Sequence, residues 1–475
     1  MPQFLYEAGF GDQSHPYFPG MIGITQPRRV AAVSMASRVS HEMGLKDGQV
    51  AYQIRYDKGQ TGRKTRIKFM TDGILLKELS DSAANLSGNS NGSDLLLSQY
   101  SCLIIDEAHE RTVGTDVLLG WLTRVVRLRN SGKVAGLKPL KLIIMSATLR
   151  VTDFTENMRL FPDGPPPVIQ VQGRQHKVVV HYNKRTSDDY VEEAYKKVTK
   201  VHTRLPEGGI LVFLSGQSEI QVLVKKLRDA FPSVSKSARL EELEKVEIKD
   251  EDVVFGEGDD AQEDDYMPGK QDRNEDSEVA SDSDDEEEQV HVLGGTIPEE
   301  EDTEDLPLEE PLSEIEHRGP LHVLPLYSLL PTAAQLRVFE SPPAGTRLVV
   351  VATNIAETSL TIPGIKYVID SGKSKERVHD TGTGLVRFQV DWTSKAAADQ
   401  RAGRAGRMGP GHCYRLYSSA VFGDYFEEFA RPEILRVPID GVVLQMKSVG
   451  IQQVVKFPFP TVPDLGTVSA AEKVC

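Results

Sequence analysis

The 475 residues suffice for two ordinary globular domains and part of a third. The longest apolar runs, such as residues 348 to 352, fall far short of the roughly 20 residues of a membrane span, and the opening Met-Pro-Gln-Phe-Leu-Tyr-Glu lacks the features of a secretory signal, so a soluble protein with no membrane partner is expected. The net charge of −15 hides two opposite parts, because residues 241 to 317 hold 33 acidic against 4 basic residues while the remainder holds 51 basic against 37 acidic, a surplus that suits polyphosphate partners.

Short β-branched or apolar runs alternate with longer amphipathic segments, the pattern of parallel sheets with crossover helices and hence an α/β fold. In chain order the predicted elements are a strand at Met21–Thr25, helices at Arg29–Met43 and Gly73–Leu79, a strand at Cys102–Ile105, a helix at Asp116–Arg127 and a strand at Leu142–Met145. A proline-rich segment near Pro166 reads as a linker. A second series follows, with a strand at Ile210–Leu214, a helix at Ser218–Phe231, and strands at Val323–Leu326, Leu348–Ala352 and Lys366–Ile369. Between them the acidic stretch of residues 234 to 317 has too few large apolar residues to offset the entropy of ordering, and is expected to be a disordered insertion. Two strands flanking Asp380-Thr-Gly-Thr-Gly384 suggest a hairpin, and a helix is predicted at Pro438–Val449. The boundaries are set at residues 1 to 165, 166 to 417 and 418 to 475. Cys102, Cys413 and Cys475 lack metal or redox spacing, so buried free thiols are expected.

Two segments carry chemistry. In Cys102-Leu-Ile-Ile-Asp-Glu-Ala-His-Glu-Arg111 an apolar strand ends in adjacent carboxylates, where open parallel sheets bind their ligands. An ordinary helix N-terminus also welcomes such acids. In Gln400-Arg-Ala-Gly-Arg-Ala-Gly-Arg407 three arginines at spacing three share nearly one helical face, and forked cations there could neutralise a transferred phosphoryl group. Gly403 and Gly406 weaken a helix, which implies close approach by another group.

These segments resemble the second and sixth motifs of the DEAH-box RNA helicases. In the same order, Thr25-Gln-Pro-Arg-Arg-Val-Ala-Ala32 is similar to motif Ia, Thr71-Asp-Gly73 to Ib, Ser146-Ala-Thr148 to III, Leu211-Val-Phe-Leu-Ser-Gly-Gln217 to IV and Ala352-Thr-Asn-Ile-Ala-Glu-Thr-Ser359 to V. The resemblance implies two RecA-like domains in tandem followed by part of a winged helix, with ATP and Mg²⁺ as cofactors. Asp106 would hold Mg²⁺ and Glu107 would be the general base. His109 and Gln400 would couple the domains, Arg404 and Arg407 would meet the γ-phosphate, Arg38 and Phe339 would sandwich the base, and Ser146 and Thr148 would link hydrolysis to movement. RNA would be held without regard to sequence by Arg28, Arg29, Thr71, Ser215, Gly216, Thr353 and Asn354.

Further stretches, among them Tyr6-Glu-Ala-Gly-Phe-Gly11, Arg111-Thr-Val-Gly-Thr115 and Phe457-Pro-Phe-Pro460, resemble the branch of that family that serves the small-ribosomal-subunit processome. That likeness implies a nucleolar protein acting on pre-rRNA and small nucleolar RNA, with ribosome-assembly proteins and an activator as partners. The chain departs from the family in lacking any Gly-x-x-x-x-Gly-Lys-Ser/Thr loop, which the match would place just before Pro2, and in carrying proline at 363 where many members have a ribose-binding aspartate. Little or no ATP hydrolysis by the chain alone is therefore expected. The alternatives are a non-catalytic RNA-binding or assembly module, and a DNA helicase.

Overall fold

The structure, a computed structural model, describes residues 1–45, 48–59, 61–84, 96–133, 136–147, 152–171, 173, 176–232, 289–293, 319–358, 360–379, 386–448 and 450–474. The first domain runs through α1 (Pro2–Glu7), β1 (Met21–Gln26), α2 (Arg29–Met43), β2 (Val50–Gln53), β3 (Ile67–Thr71), α3 (Asp72–Ala84), β4 (Tyr100–Ile105), α4 (Val113–Asn130), β5 (Lys141–Ile144) and the single turn α5 (Thr152–Thr155). Its five strands are all parallel, in the order β2-β3-β1-β4-β5. Every residue of β3 and β4 is buried, as expected for strands covered on both faces. Helix α2 stops at Gly44, whose left-handed φ of 62° allows Leu45 N–H to reach back to Ser40 O at 3.1 Å. Helix α4 begins at Thr112, whose hydroxyl accepts from Thr115 N–H at 3.1 Å.

The second domain contains β6 (Val178–Tyr182), α6 (Tyr190–Arg204), β7 (Gly209–Phe213), α7 (Gln217–Ala230), β8 (Gln289–Leu293), β9 (Leu321–Leu326), α8 (Thr332–Leu336), β10 (Arg347–Ala352), β11 (Ile365–Asp370), the strands β12 (Lys373–His379) and β13 (Val386–Trp392), α9 (Lys395–Gly403) and β14 (Gly411–Arg415). The sheet order is β8-β6-β14-β11-β7-β10-β9, parallel except for β8. Strands β12 and β13 form a separate antiparallel hairpin, whose tip at residues 380 to 385 lies outside the described residues. The two α/β domains accord with tandem RecA-like domains.

The acidic insertion corrects one expectation. Gln289–Leu293 is strand rather than disordered chain, pairing antiparallel with β6 from Val178↔Leu293 to Tyr182↔Gln289. The uncharged alternation Gln-Val-His-Val-Leu, between acidic blocks, supplies the β-branched positions that an edge strand favours. The rest of residues 234 to 317 lies outside the described residues.

After β14 the chain forms α10 (Ser419–Tyr425), α11 (Asp440–Ser448) and α12 (Leu465–Val474) and returns to the first domain. Ile434, Val443, Met446, Phe457 and Val468 join Leu76, Leu118 and Leu122 in one core. Gly120, inside α4, permits this: a Cβ there would lie 2.5 Å from a ring carbon of Phe457. The tail, expected to be part of a winged helix, is helical among the described residues, with no strand. Among the described residues no helix is long and apolar enough to cross a membrane. Cys102 and Cys413 are buried free thiols, and burial pushes both up to about 12.

Candidate functional site

Because both sheets are parallel, the loops after their strands gather at the carboxyl ends, where ligands of such folds bind. Asp106 and Glu107 follow β4, Arg28 follows β1, Thr71 ends β3, Ser215 and Gly216 follow β7, and Thr353 and Asn354 follow β10.

Asp106 is held on three sides. Its own N–H reaches Thr25 O at 3.4 Å, Gln26 Nε2 donates to Oδ2 at 2.6 Å, and Glu107 N–H donates to Oδ1 at 2.9 Å. Burial, and next the neighbouring Glu107 charge, push the Asp106 carboxyl up from 3.8 to about 6. A buried carboxylate with surplus negative charge beside it suits a divalent cation, which would relieve both burdens.

The linkage gives a stability prediction. The unfolded aspartate loses its proton first, so folding stability contributed by this residue falls as pH rises from 3.8 to about 6, and the full penalty stands above that. Asp106→Asn is therefore expected to stabilise the chain by about 1–3 kcal/mol at pH 8. In denaturant melts the advantage should shrink toward zero near pH 4; a gain that persists at low pH would show that charge is not its source.

Glu107 and Arg111 both take a left-handed backbone, with φ of 53° and 52°, flanking a 3₁₀ turn over Ala108–Glu110. Non-glycine residues enter this region at a cost of roughly 1–3 kcal/mol, and hold it where surrounding bonds over-determine the loop. Those bonds are present: Ala108 N–H donates to Met145 O at 3.0 Å, and Arg111 forks onto Asp116 at 2.9 and 3.0 Å. His109 Nδ1 accepts from Ala147 N–H at 3.2 Å, while its Nε2 lies 3.5 Å from Glu107 Oε2. The histidine thus ties the acidic loop to the strand end that carries Ser146, which is exposed. Thr148 lies outside the described residues. No hydrogen bond joins His109 to Gln400 among the described residues, and Gln400 sits half-buried on α9.

The three arginines do not share one role. Arg401 is buried, with Nε 2.9 Å from Glu357 Oε2 and Nη1 2.9 Å from Asp370 Oδ1, and so is turned into the second domain rather than toward a ligand. This corrects the expectation of one common arginine face: α9 ends at Gly403 and the chain tightens into a 3₁₀ turn over Arg404–Gly406. Arg404 donates from Nε to Glu357 O at 2.8 Å and from Nη1 to Leu360 O. Burial, then repulsion by Arg407, brings Arg404 down to about 10, while the Glu107 carboxylate pulls the other way. Arg407 reaches the surface, but the partial burial of its guanidinium lowers its pKa, with Glu107 pulling the other way and Arg38 adding to the fall. The Glu107 charge of the first domain thus acts on Arg404 and Arg407 of the second, and nearby Glu110 Oε1 accepts from the Thr358 hydroxyl across the domains. Gly406 lets the chain at His176 pass close by, since a Cβ there would lie 2.6 Å from His176 O, and His176 N–H donates to Gly406 O at 3.0 Å.

The two domains also touch directly. Helix α2 packs against α8, and its Val30 and Ala31 lie in the core of the second domain with Leu326, Val338 and Ile355. Arg38, on the exposed side of α2, pairs with Glu42 at 2.7 Å; Phe339 packs against the second core just beyond α8. Ser215 is less available than the sequence suggested, because its hydroxyl donates to Glu219 Oε1 at 2.8 Å and its N–H to Oε2 at 3.1 Å. Gly216 is buried, and a Cβ there would touch only Lys375 Cδ, at 3.8 Å. Arg29 starts α2 half-buried, Thr71 is buried, Thr353 is half-buried and Asn354 is exposed. Gln26, Glu110 and Thr358 lie within the quoted motif segments, yet the sequence assigned none of them a role.

A model of the helicase conserved C-terminal domain matches residues 298–409. The chain is similar to "Probable ATP-dependent RNA helicase DHR1" of Saccharomyces cerevisiae, with 50% identity over 99% of this chain and 36% of that protein. It is also similar to "Probable ATP-dependent RNA helicase DHX37" of Homo sapiens, with 51% identity over 100% of this chain and 39% of that one. Among solved structures it resembles the DEAH/RHA helicase HrpB of Escherichia coli, with a TM-score of 0.66 and 25% identity, covering 100% of this chain and 45% of that one. The chain thus spans less than half the length of each of these three relatives.

Proposed function

We propose that this chain, a member of the DEAH-box RNA helicases, forms the motor core of an ATP-dependent enzyme that moves along and remodels RNA. The observation that supports this reading is the meeting of two segments: the loop that carries Asp106, Glu107 and Glu110 is joined to the second domain by the Thr358 hydroxyl on Glu110, and the Glu107 charge acts on Arg404 and Arg407. Glu107 takes a proton from the attacking water, and Arg407, exposed and unburdened by backbone bonds of the kind Arg404 makes, offsets charge on the transferred phosphoryl group. Arg404 positions the segment around Glu357 and adds its field to the same region. Asp106 would hold Mg²⁺, which supplies neutralising charge between phosphate oxygens when bound. Arg38 and Phe339 would bracket the base, and His109, Gln400, Ser146 and Thr148 would relay hydrolysis to domain movement.

Arg28, Arg29, Thr71, Ser215, Gly216, Thr353 and Asn354 would hold RNA phosphate and sugar from the strand ends. The resemblance to the small-subunit-processome branch supports pre-rRNA or small nucleolar RNA as substrate, a nucleolar site of action, and assembly factors or an activator as partners. A second reading is a non-catalytic RNA-binding module that holds RNA through the same groups at the strand ends.

Fluorescence anisotropy with two single-stranded RNAs of unrelated sequence tests the shared premise of both readings. Similar affinities are expected, each falling steeply with salt as phosphate contacts require, and Arg28→Ala should weaken both equally. Strong preference for one sequence would count against a motor that grips the backbone. Phosphate release separates the readings when measured on a version carrying a Gly-x-x-x-x-Gly-Lys-Ser segment ahead of Pro2: RNA-stimulated release is expected of the motor, and none of the binding module.

A further inference from the structure

We infer that Glu110 is a positioning residue that couples RNA engagement at Arg28 to closure of the second domain through Thr358. The inference rests on the RNA-helicase reading and deepens it. Glu110 lies at the junction of three groups. One carboxylate oxygen, Oε2, is 3.5 Å from Arg28 Nη2, at the start of α2. The other, Oε1, accepts from the hydroxyl of Thr358, which belongs to the opposite domain 248 positions away. Its backbone N–H donates at 2.9 Å to the carbonyl of Glu107, across the 3₁₀ turn.

Thr358 is itself buried at 3% exposure, and its neighbour Glu357 accepts from Arg401 through its side chain and from Arg404 through its carbonyl. A shift of Thr358 therefore moves the segment on which the cleft arginines are braced. Glu110 is a largely buried carboxylate, its side chain 15% exposed, whose ion-pair partner Arg28 stands 3.5 Å away. Losing a hydrogen bond to such a group leaves a desolvated charge, so the bond from Thr358 carries more weight than one between neutral groups. Closure delivers that hydroxyl; the carboxylate it stabilises then holds the guanidinium of Arg28 in place for a phosphate. By linkage the effect is reciprocal, so RNA on Arg28 favours closure.

The test measures affinity for a labelled single-stranded RNA, with a thermal melt of each protein beside it. Thr358→Val keeps the volume and removes the hydroxyl, and is expected to weaken binding about tenfold, within the usual range for coupled sites. Thr358→Ser restores the hydroxyl and should restore affinity, which a role in packing alone would not do. Glu110→Gln should weaken binding similarly, and the double variant Glu110→Gln, Thr358→Val should lose no more than either alone. If Thr358→Val does not fold, the Glu110→Gln result decides. Wild-type affinity in the single variants, or losses that add in the double one, would overturn the relay while Arg28→Ala still weakens binding. A wild-type chain that binds no RNA would remove the helicase reading and the relay with it.

Discussion

Glu107→Gln is expected to lower RNA-stimulated ATP hydrolysis by roughly 10²–10⁴-fold in a version of the chain carrying a Gly-x-x-x-x-Gly-Lys-Ser segment ahead of Pro2, the range typical of a lost general base. The added segment supplies the backbone amides, lysine and hydroxyl that cradle phosphates, none of which occurs in that order in the 475 residues. The substitution keeps the shape of the side chain and removes its basicity. The fold should tolerate it, because the left-handed turn at Glu107 is braced by the backbone bond at Ala108 and by the Asp106 side chain. RNA affinity should be unchanged, since the groups at the strand ends are untouched. Equal hydrolysis by the two proteins would take Glu107 out of the chemistry, and the proton would then have to go to another group. Asp106, with a carboxyl raised to about 6, is the nearest candidate, and Asp106→Asn in the same version would settle between them.

How much of this was legible in the sequence depended on how local its causes are. Strand β4 announced itself because four apolar residues, Cys102 to Ile105, run straight into two acids, and α2 was readable to the residue because its start after Pro27 and its stop at Gly44 are local signals. Strands β2, β3, β6 and β14 were not read. Ile-Lys-Phe-Met-Thr in β3 and Gly-His-Cys-Tyr-Arg in β14 carry polar residues whose burial comes only from distant partners, such as Lys68 against Glu78. Strand β8 was masked by the acidic composition averaged around it.

The site divided in the same way. Acids and arginines were found as types, yet the division of labour among the arginines was hidden. Asp370 and Glu357, which claim Arg401, stand 31 and 44 positions before it, and equal spacing along a helix says nothing of them. Glu110 and Thr358 were missed for the same reason, their bond being made across 248 positions.

That division of labour leads to the second large effect. Arg401→Met is expected to destabilise the second domain by about 3–5 kcal/mol, because removing one partner of a buried ion pair leaves the other as an uncompensated charge. Asp370, 0% exposed, would keep only Tyr417 OH at 3.0 Å and Gly372 N–H at 2.9 Å, and Glu357 would lose its partner in the same step. Arg407→Met, at an exposed position, should change stability by no more than about 0.5 kcal/mol, as surface substitutions usually do. In the loop-bearing version it should instead cost roughly 10³-fold or more in hydrolysis, the scale of a lost arginine finger. Denaturant melts and phosphate release on both variants therefore separate an arginine that builds the domain from one that meets the reacting group. A stable Arg401→Met protein with lost turnover would reverse the assignment and place Arg401 in the cleft, against the geometry of its two carboxylates.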